Sequence, residues 1–167
     1  NINNYVWYSG KLWRIIALNN DGSVKVMTDD PITIINYNVA NNPNFEGSYV
    51  YQWLNEDFLD TLYNYQDIIV VDSVWNATMT STNTKVENTT PVTAPVGLIT
   101  AYEYTQSYSK ATTTTGYLYS KSRFFTITPH SAQQVKYVNN GGMAYIVSNW
   151  AAGLSPVINF RPGILIA

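Results

Sequence analysis

His130 is the single histidine of this chain, and histidine is the side chain whose ordinary pKa best suits a general base near neutral pH. It follows Thr128-Pro129 at the end of a segment that reads as a strand, a place where loops often display functional groups. Catalysis would need a partner for it, and the chain holds no cysteine, no second histidine and no Gly-x-Ser-x-Gly motif. We therefore read His130 as structural and assign no catalytic residue. Asp29-Asp30 and Asn55-Glu56-Asp57 are the tight acidic clusters, and oxygen-rich groupings are what calcium requires. Neither has the spacing of an EF-hand loop, so the first is read as a strand-ending turn and the second as a solvated helix face. No metal and no cofactor is assigned. Four Glu and seven Asp still allow a distant pair of carboxylates of the kind that hydrolyses glycosides, which keeps a carbohydrate-active enzyme as the alternative reading.

Aromatic side chains are the larger resource, because Tyr and Trp combine a flat apolar face with a hydrogen-bonding tip and bind sugars or protein partners at low entropic cost. Trp7, Trp13 and Trp53 fall in segments of regular pattern and are expected in the core. Trp75, Tyr102, Tyr104, Tyr108, Tyr117, Tyr119, Tyr145 and Trp150 lie closer to loops or alternating faces, and as a group they are expected to form a contact surface.

Composition narrows the partners. Charged residues make up 12% of the chain against 46% hydrophobic, so the surface must be covered by Asn, Thr, Ser and the hydroxyl ends of 14 tyrosines. A net charge of −2 with scattered Lys and Arg lacks the basic footprint that neutralises phosphates, which argues against nucleic acid. The absence of cysteine excludes disulfides, thiolate metal sites and thiol nucleophiles. No apolar run approaches the ~20 residues that cross a bilayer, so no membrane contact is expected of this chain. The start at Asn1, without Met, leads us to expect that upstream sequence was removed.

These residues need elements to position them. Segments 5–8, 11–18 and 23–28 are rich in β-branched and aromatic residues and are separated by Ser9-Gly10 and Asn19–Gly22, which predicts a three-stranded antiparallel opening with 11–18 as its central strand. From Ser48 the apolar period changes to that of a helix (Val50, Leu54, Phe58, Leu62), with Ser48 as N-cap, and this predicts a helix near 48–62 whose outer face carries Gln52, Asn55, Glu56 and Asp60. Ile68–Val71 reads as a short buried strand. The Thr-rich stretch 78–91 reads as an exposed loop or irregular hairpin. Thr100-Ala-Tyr-Glu103 fits a capping box and predicts a second helix near 100–108. Segments 117–128, 134–138 and 143–148 read as strands, the last two joined by Asn139-Asn-Gly-Gly142, the strongest hairpin signal in the chain. A last strand covers 156–160, with Ile164–Ile166 as its extension. The whole is one α+β domain over residues 1–167.

Four motifs occur in an order that resembles one bacterial family: Tyr5-Val-Trp-Tyr-Ser-Gly-Lys-Leu-Trp-Arg14, Trp53-Leu-Asn-Glu-Asp-Phe-Leu59, Gly97-Leu-Ile-Thr-Ala-Tyr-Glu-Tyr104 and Ser155-Pro-Val-Ile-Asn-Phe160. The chain resembles an uncharacterised domain of secreted and surface-anchored bacterial proteins, with a fold related to the C-type lectins and sulfatase-modifying factors. The resemblance implies a C-type-lectin-like arrangement of mixed or antiparallel sheets with two helices. It implies an extracellular address on a cell surface or filament, and a non-enzymatic role in adhesion or in binding a glycan or protein ligand. Some relatives carry the domain as the head of a type IV pilin-like subunit, where the partners would be like subunits in a filament. A phage-type receptor-binding protein with a diversified C-terminal region is a further alternative. The chain lacks the Glu-Pro-Asn and Trp-Asn-Asp triplets through which calcium-dependent lectins hold ion and sugar, and Ser155 stands where the family usually has Arg. In a lectin-like plan the ligand face is built by the long irregular segment and the strands after it, here 72–96 and 130–155, so the expected ligand-binding residues are Trp75, Tyr137, Tyr145, Asn149 and Trp150.

Overall fold

The computed structural model describes residues 4–109 and 123–164. The Thr112–Thr115 tract, Tyr117, Tyr119, the first half of the expected strand 117–128, and Leu165 and Ile166 lie outside the described residues, as does the side chain of Tyr108.

The protein is α+β. Strands β1 (Tyr5–Tyr8), β2 (Lys11–Leu18) and β3 (Val24–Thr28) form the antiparallel opening that the sequence predicts, and β11 (Val157–Phe160) closes it into a sheet of order β1-β2-β3-β11. Ser9 and Gly10 both take positive φ, 53° and 75°, which is the twist a two-residue hairpin turn demands. Val6 pairs with Trp13 and Trp7 with Leu12, so the two tryptophans point to opposite faces. Trp13 is fully buried and donates its indole N–H to the Tyr8 carbonyl at 3.0 Å. Trp7 is 73% exposed; its placement in the core is corrected here, because it lies on the outer face of an edge strand.

A second sheet of order β4-β10-β7-β8-β9 contains β4 (Thr33–Asn36), β7 (Phe124–Pro129), β8 (Gln134–Asn139), β9 (Gly142–Val147) and β10 (Ala151–Leu154). Strands β4 and β10 carry no strong strand pattern of their own. Asn140 and Gly141 form the two-residue turn between β8 and β9, with φ of 52° and 88°. Tyr104 packs edge-on against Phe124, while Tyr37 packs edge-on against the next residue, Phe125. The two faces of this sheet are thus covered by different parts of the chain.

The first helical stretch begins as α1 (Tyr49–Trp53), widens into a π-helical segment Leu54–Phe58 and ends in a 3₁₀ turn Leu59–Thr61. Ser48 caps it as expected, its hydroxyl accepting from the Tyr51 amide at 3.0 Å. Val50, Leu54, Phe58 and Leu62 are buried, which fixes this helix against the first sheet through the Trp13–Phe58 contact. Asn55 departs from the expected solvated face: it is half-buried and bonded to the Val96 backbone. A short helix α2 (Tyr65–Ile68) replaces the start of the strand expected at 68–71, and only Ile69 there is fully buried, bridging to Phe160. The hairpin β5 (Val74–Asn76) and β6 (Pro91–Thr93) brackets the Thr-rich stretch, and α3 (Ala101–Ser109) follows.

Candidate functional site

The capping box at the start of α3 forms in full. The Thr100 hydroxyl accepts from the Glu103 amide at 3.0 Å, and Glu103 Oε1 accepts from the Thr100 amide at 2.9 Å. The next free amide, that of Ala101, donates to Thr128 Oγ1 on β7 at 3.0 Å. Glu103 Oε2 then takes the Lys25 ammonium of β3 at 2.9 Å, so both carboxylate oxygens are engaged.

Facing this helix end is the segment 77–90, braced by the side chains of Asn76 and Thr78. Asn76 Oδ1 accepts from the Thr78 amide and Asn76 Nδ2 donates to the Val86 carbonyl, each at 3.1 Å. Thr78 Oγ1 accepts from the amides of Thr89 and Thr90. Between the two walls lies a cleft of about 300 Å³, at the lower end of the range of small-molecule sites. Its polar lining is dominated by hydroxyl and amide groups, and Glu103 is its sole carboxylate among the described residues.

Three threonines in period-2 spacing run along the outer wall. The Thr80 and Thr82 hydroxyls lie 3.0 Å apart and those of Thr82 and Thr84 lie 2.8 Å apart, forming a continuous hydroxyl chain. The Thr80 amide donates to the Pro129 carbonyl at 3.0 Å, and this ties the wall to the end of β7, beside His130.

His130 stacks on Tyr145 with ring centres 3.8 Å apart and planes 4° from parallel. Lys136 Nζ lies 3.2 Å from His130 Nδ1. An ammonium can only donate, so Nδ1 accepts and the neutral ring carries its proton on Nε2. Partial burial and the Lys136 charge hold the His130 pKa below its ordinary value, and burial lowers that of Lys136.

The five expected ligand residues divide between several places. Trp75 is 3% exposed; it lines the cleft, but as a floor whose indole N–H is spent on the Ala94 carbonyl at 2.8 Å. One ring face lies so close to Gly97 that a Cβ there would stand 2.3 Å away, and Lys25 Nζ sits 5.8 Å from the ring centre. Trp75, expected among the ligand-binding residues, is thus a buried ring at the base of the cleft and not an exposed one. Tyr137 pairs with Ala144, and Tyr145 with Lys136, which sets the two tyrosines on opposite faces of the sheet. Tyr137 is 9% exposed and Tyr145 53%, so Tyr137 does not join a surface with Tyr145. Asn149 and Trp150 are exposed in the turn after β9, Trp150 at 63%. That turn lies at the same end of the sheet as His130, since Ser148 donates its amide to the Gln133 carbonyl at 3.0 Å.

Of the wider aromatic group, Tyr104 is buried with its hydroxyl donating to the Gly141 carbonyl at 2.6 Å, whereas Tyr102 is half-buried and lines the cleft. The threonine chain and the Lys25–Glu103 pair were not singled out by the sequence reading. The alternation Thr78-x-Thr80-x-Thr82-x-Thr84 was the available signal for the first, and nothing local points to the second, whose members lie 78 residues apart.

No family model matches the chain, and neither a curated protein nor a solved structure matches it.

Proposed function

We propose that the chain is a non-enzymatic extracellular recognition module of a bacterial surface, and that it binds a glycan or protein ligand in the cleft between segment 77–90 and the start of α3. One observation carries the reading: among the described residues the cleft offers many hydroxyl and amide groups around a single carboxylate, whose oxygens are held by Lys25 and the Thr100 amide. Such a lining suits reversible hydrogen bonding. Glycoside hydrolysis by the usual route needs two carboxylates placed across the bond. The four-motif resemblance to secreted and surface-anchored domains supports the address.

The test is a titration of isotope-labelled protein with soluble glycans, cell-wall fragments and peptides, followed by NMR and by product analysis. Saturable shifts of Tyr102, Thr82 and Thr100 without product are expected. Turnover that disappears in Glu103→Gln would overturn the non-enzymatic reading in favour of a carbohydrate-active enzyme, and a panel that leaves these resonances unmoved would overturn the cleft as the site.

A further inference from the structure

The charges and hydrogen-bonding capacity around the cleft bear on what kind of ligand it takes. Lys25 points into it but is neutralised by Glu103 at 2.9 Å. Three of the amides at the start of α3 that could hold an anion are already committed, those of Thr100, Ala101 and Glu103 to Glu103 Oε1, Thr128 and Thr100 respectively, which removes the converging set of donors that an anion needs. Lys85 stands exposed on the wall, where water and salt screen its charge. A carboxylate, sulfate or phosphate entering here would lose its hydration and meet no free, desolvated cation among the described residues.

The hydroxyls offer something different. Thr80, Thr82 and Thr84 together own three hydroxyl protons, and two are consumed in the contacts between them. Of their six lone pairs, two take those protons and two the amides of Thr82 and Thr84, so one proton is left to donate outward and two lone pairs to accept, and the direction of the chain can reverse. The Thr100 and Thr128 hydroxyls, each already accepting an amide, keep a proton to donate. A neutral sugar ring matches this mixture, because each of its hydroxyls both donates and accepts. An oxyanion only accepts and needs two or three donors converging on one group.

We propose that the cleft selects neutral saccharide residues over their acidic counterparts, with the Thr80–Thr82–Thr84 chain reading sugar hydroxyls and the Lys25–Glu103 pair acting as the element that sets charge preference. This rests on the cleft being the ligand site.

The experiment uses an array of matched neutral, uronate, sulfated and sialylated oligosaccharides, with affinities of the hits measured by calorimetry on the whole chain. Neutral probes should bind at least tenfold tighter than their charged counterparts. Glu103→Gln keeps an acceptor for the Thr100 amide but frees Lys25, so it should narrow that gap at least fivefold. Thr82→Val breaks the hydroxyl chain and should weaken the neutral probe about fivefold to tenfold, with Thr82→Ser restoring it; an unchanged unfolding midpoint confirms that the fold is intact. A charged probe that binds wild type as well as its neutral counterpart overturns the proposal while leaving the recognition module in place. So does a gap unmoved by Glu103→Gln, or neutral binding indifferent to Thr82→Val. Failure of every saccharide probe to bind overturns this proposal, whereas the recognition module falls only if the peptides of the titration above also leave the cleft resonances unmoved.

Discussion

Asn55 holds the backbone of Val96 from both directions. Its Oδ1 accepts from the Val96 amide at 2.9 Å, and its Nδ2 donates to the Val96 carbonyl at 3.0 Å. The next residue, Gly97, exchanges two 3.0 Å backbone bonds with Val157. Three of the four motifs on which the family resemblance rests therefore meet at one place, the Trp53-Leu-Asn segment, the Gly97-Leu-Ile-Thr segment and the Pro156-Val-Ile segment. Their role there is to fix the segment 96–100 that leads into α3, bridged to the first sheet only at Gly97, and through it the inner wall of the cleft.

Asn55→Ala should cost about 2–3 kcal/mol, because it leaves both polar groups of a buried residue without partners. The check is the urea midpoint at constant slope. Asn55→Asp keeps the bond to the amide but sets a charge against the Val96 carbonyl, so it should not restore the loss. An aspartate variant as stable as wild type would remove the carbonyl bond from the account.

Gly97→Ala tests the same junction from the other side. An added Cβ would lie 2.3 Å from the Trp75 ring, and neither the ring, tied to Ala94, nor the backbone, tied to Val157, can yield without breaking a bond. Overpacking of this kind costs about 1–3 kcal/mol. A shifted tryptophan emission should accompany the loss, since the ring that must move is the floor of the cleft.

Much of the fold is written in local chemistry. Ser48, the Thr100–Glu103 box and the Asn140-Gly141 turn act through neighbouring amides or through φ, and each forms as its sequence predicts. Strand β10, Ala151-Ala-Gly-Leu154, has no such signature. It is a strand because Gly153 lets it lie against Arg123 and Pro31, where a Cβ would come within 2.3 Å of the Arg123 carbonyl oxygen and 2.9 Å of Pro31 Cβ, and that is information held far away in the chain. Trp7 and Trp13 show a related limit: both lie in well-patterned strands, and the pattern does not say which face meets the core. The division between Tyr137 and Tyr145, by contrast, was legible. A two-residue turn at 140–141 pairs 137 with 144, and one step of parity then puts Tyr145 on the other face.

Stability should depend on pH through His130. In the unfolded chain this ring takes up its proton near its ordinary pKa of 6.5, whereas in the fold burial and the adjacent Lys136 delay protonation to lower pH. The unfolded state then binds more protons in that window. The contribution is complete above pH 6.5 and is lost as pH falls from there toward the folded value. Urea midpoints at pH 8 and pH 5.5, where carboxylates remain ionised, should differ in wild type and converge in His130→Gln. An equal fall in the variant would assign the pH dependence elsewhere.

The last prediction separates the tryptophans. Trp150 is 63% exposed, so truncating it removes little buried surface, and Trp150→Ala should change stability by no more than about 0.5 kcal/mol. Trp75 is buried, its N–H is bonded and its ring packs on Gly97. Trp75→Ala should cost about 3–5 kcal/mol, the usual loss for a large core aromatic, and should strand the Ala94 carbonyl as well. The binding consequences run differently. Trp75→Ala removes the floor on which Lys25 rests and so should lower affinity for any ligand of the cleft, while Trp150→Ala changes affinity only for a ligand long enough to reach from the cleft to the turn after β9. Denaturation midpoints and ligand titrations on both variants decide the matter: a Trp150→Ala variant as unstable as Trp75→Ala would place the turn at 148–150 inside the core and remove that end of the sheet from the recognition surface.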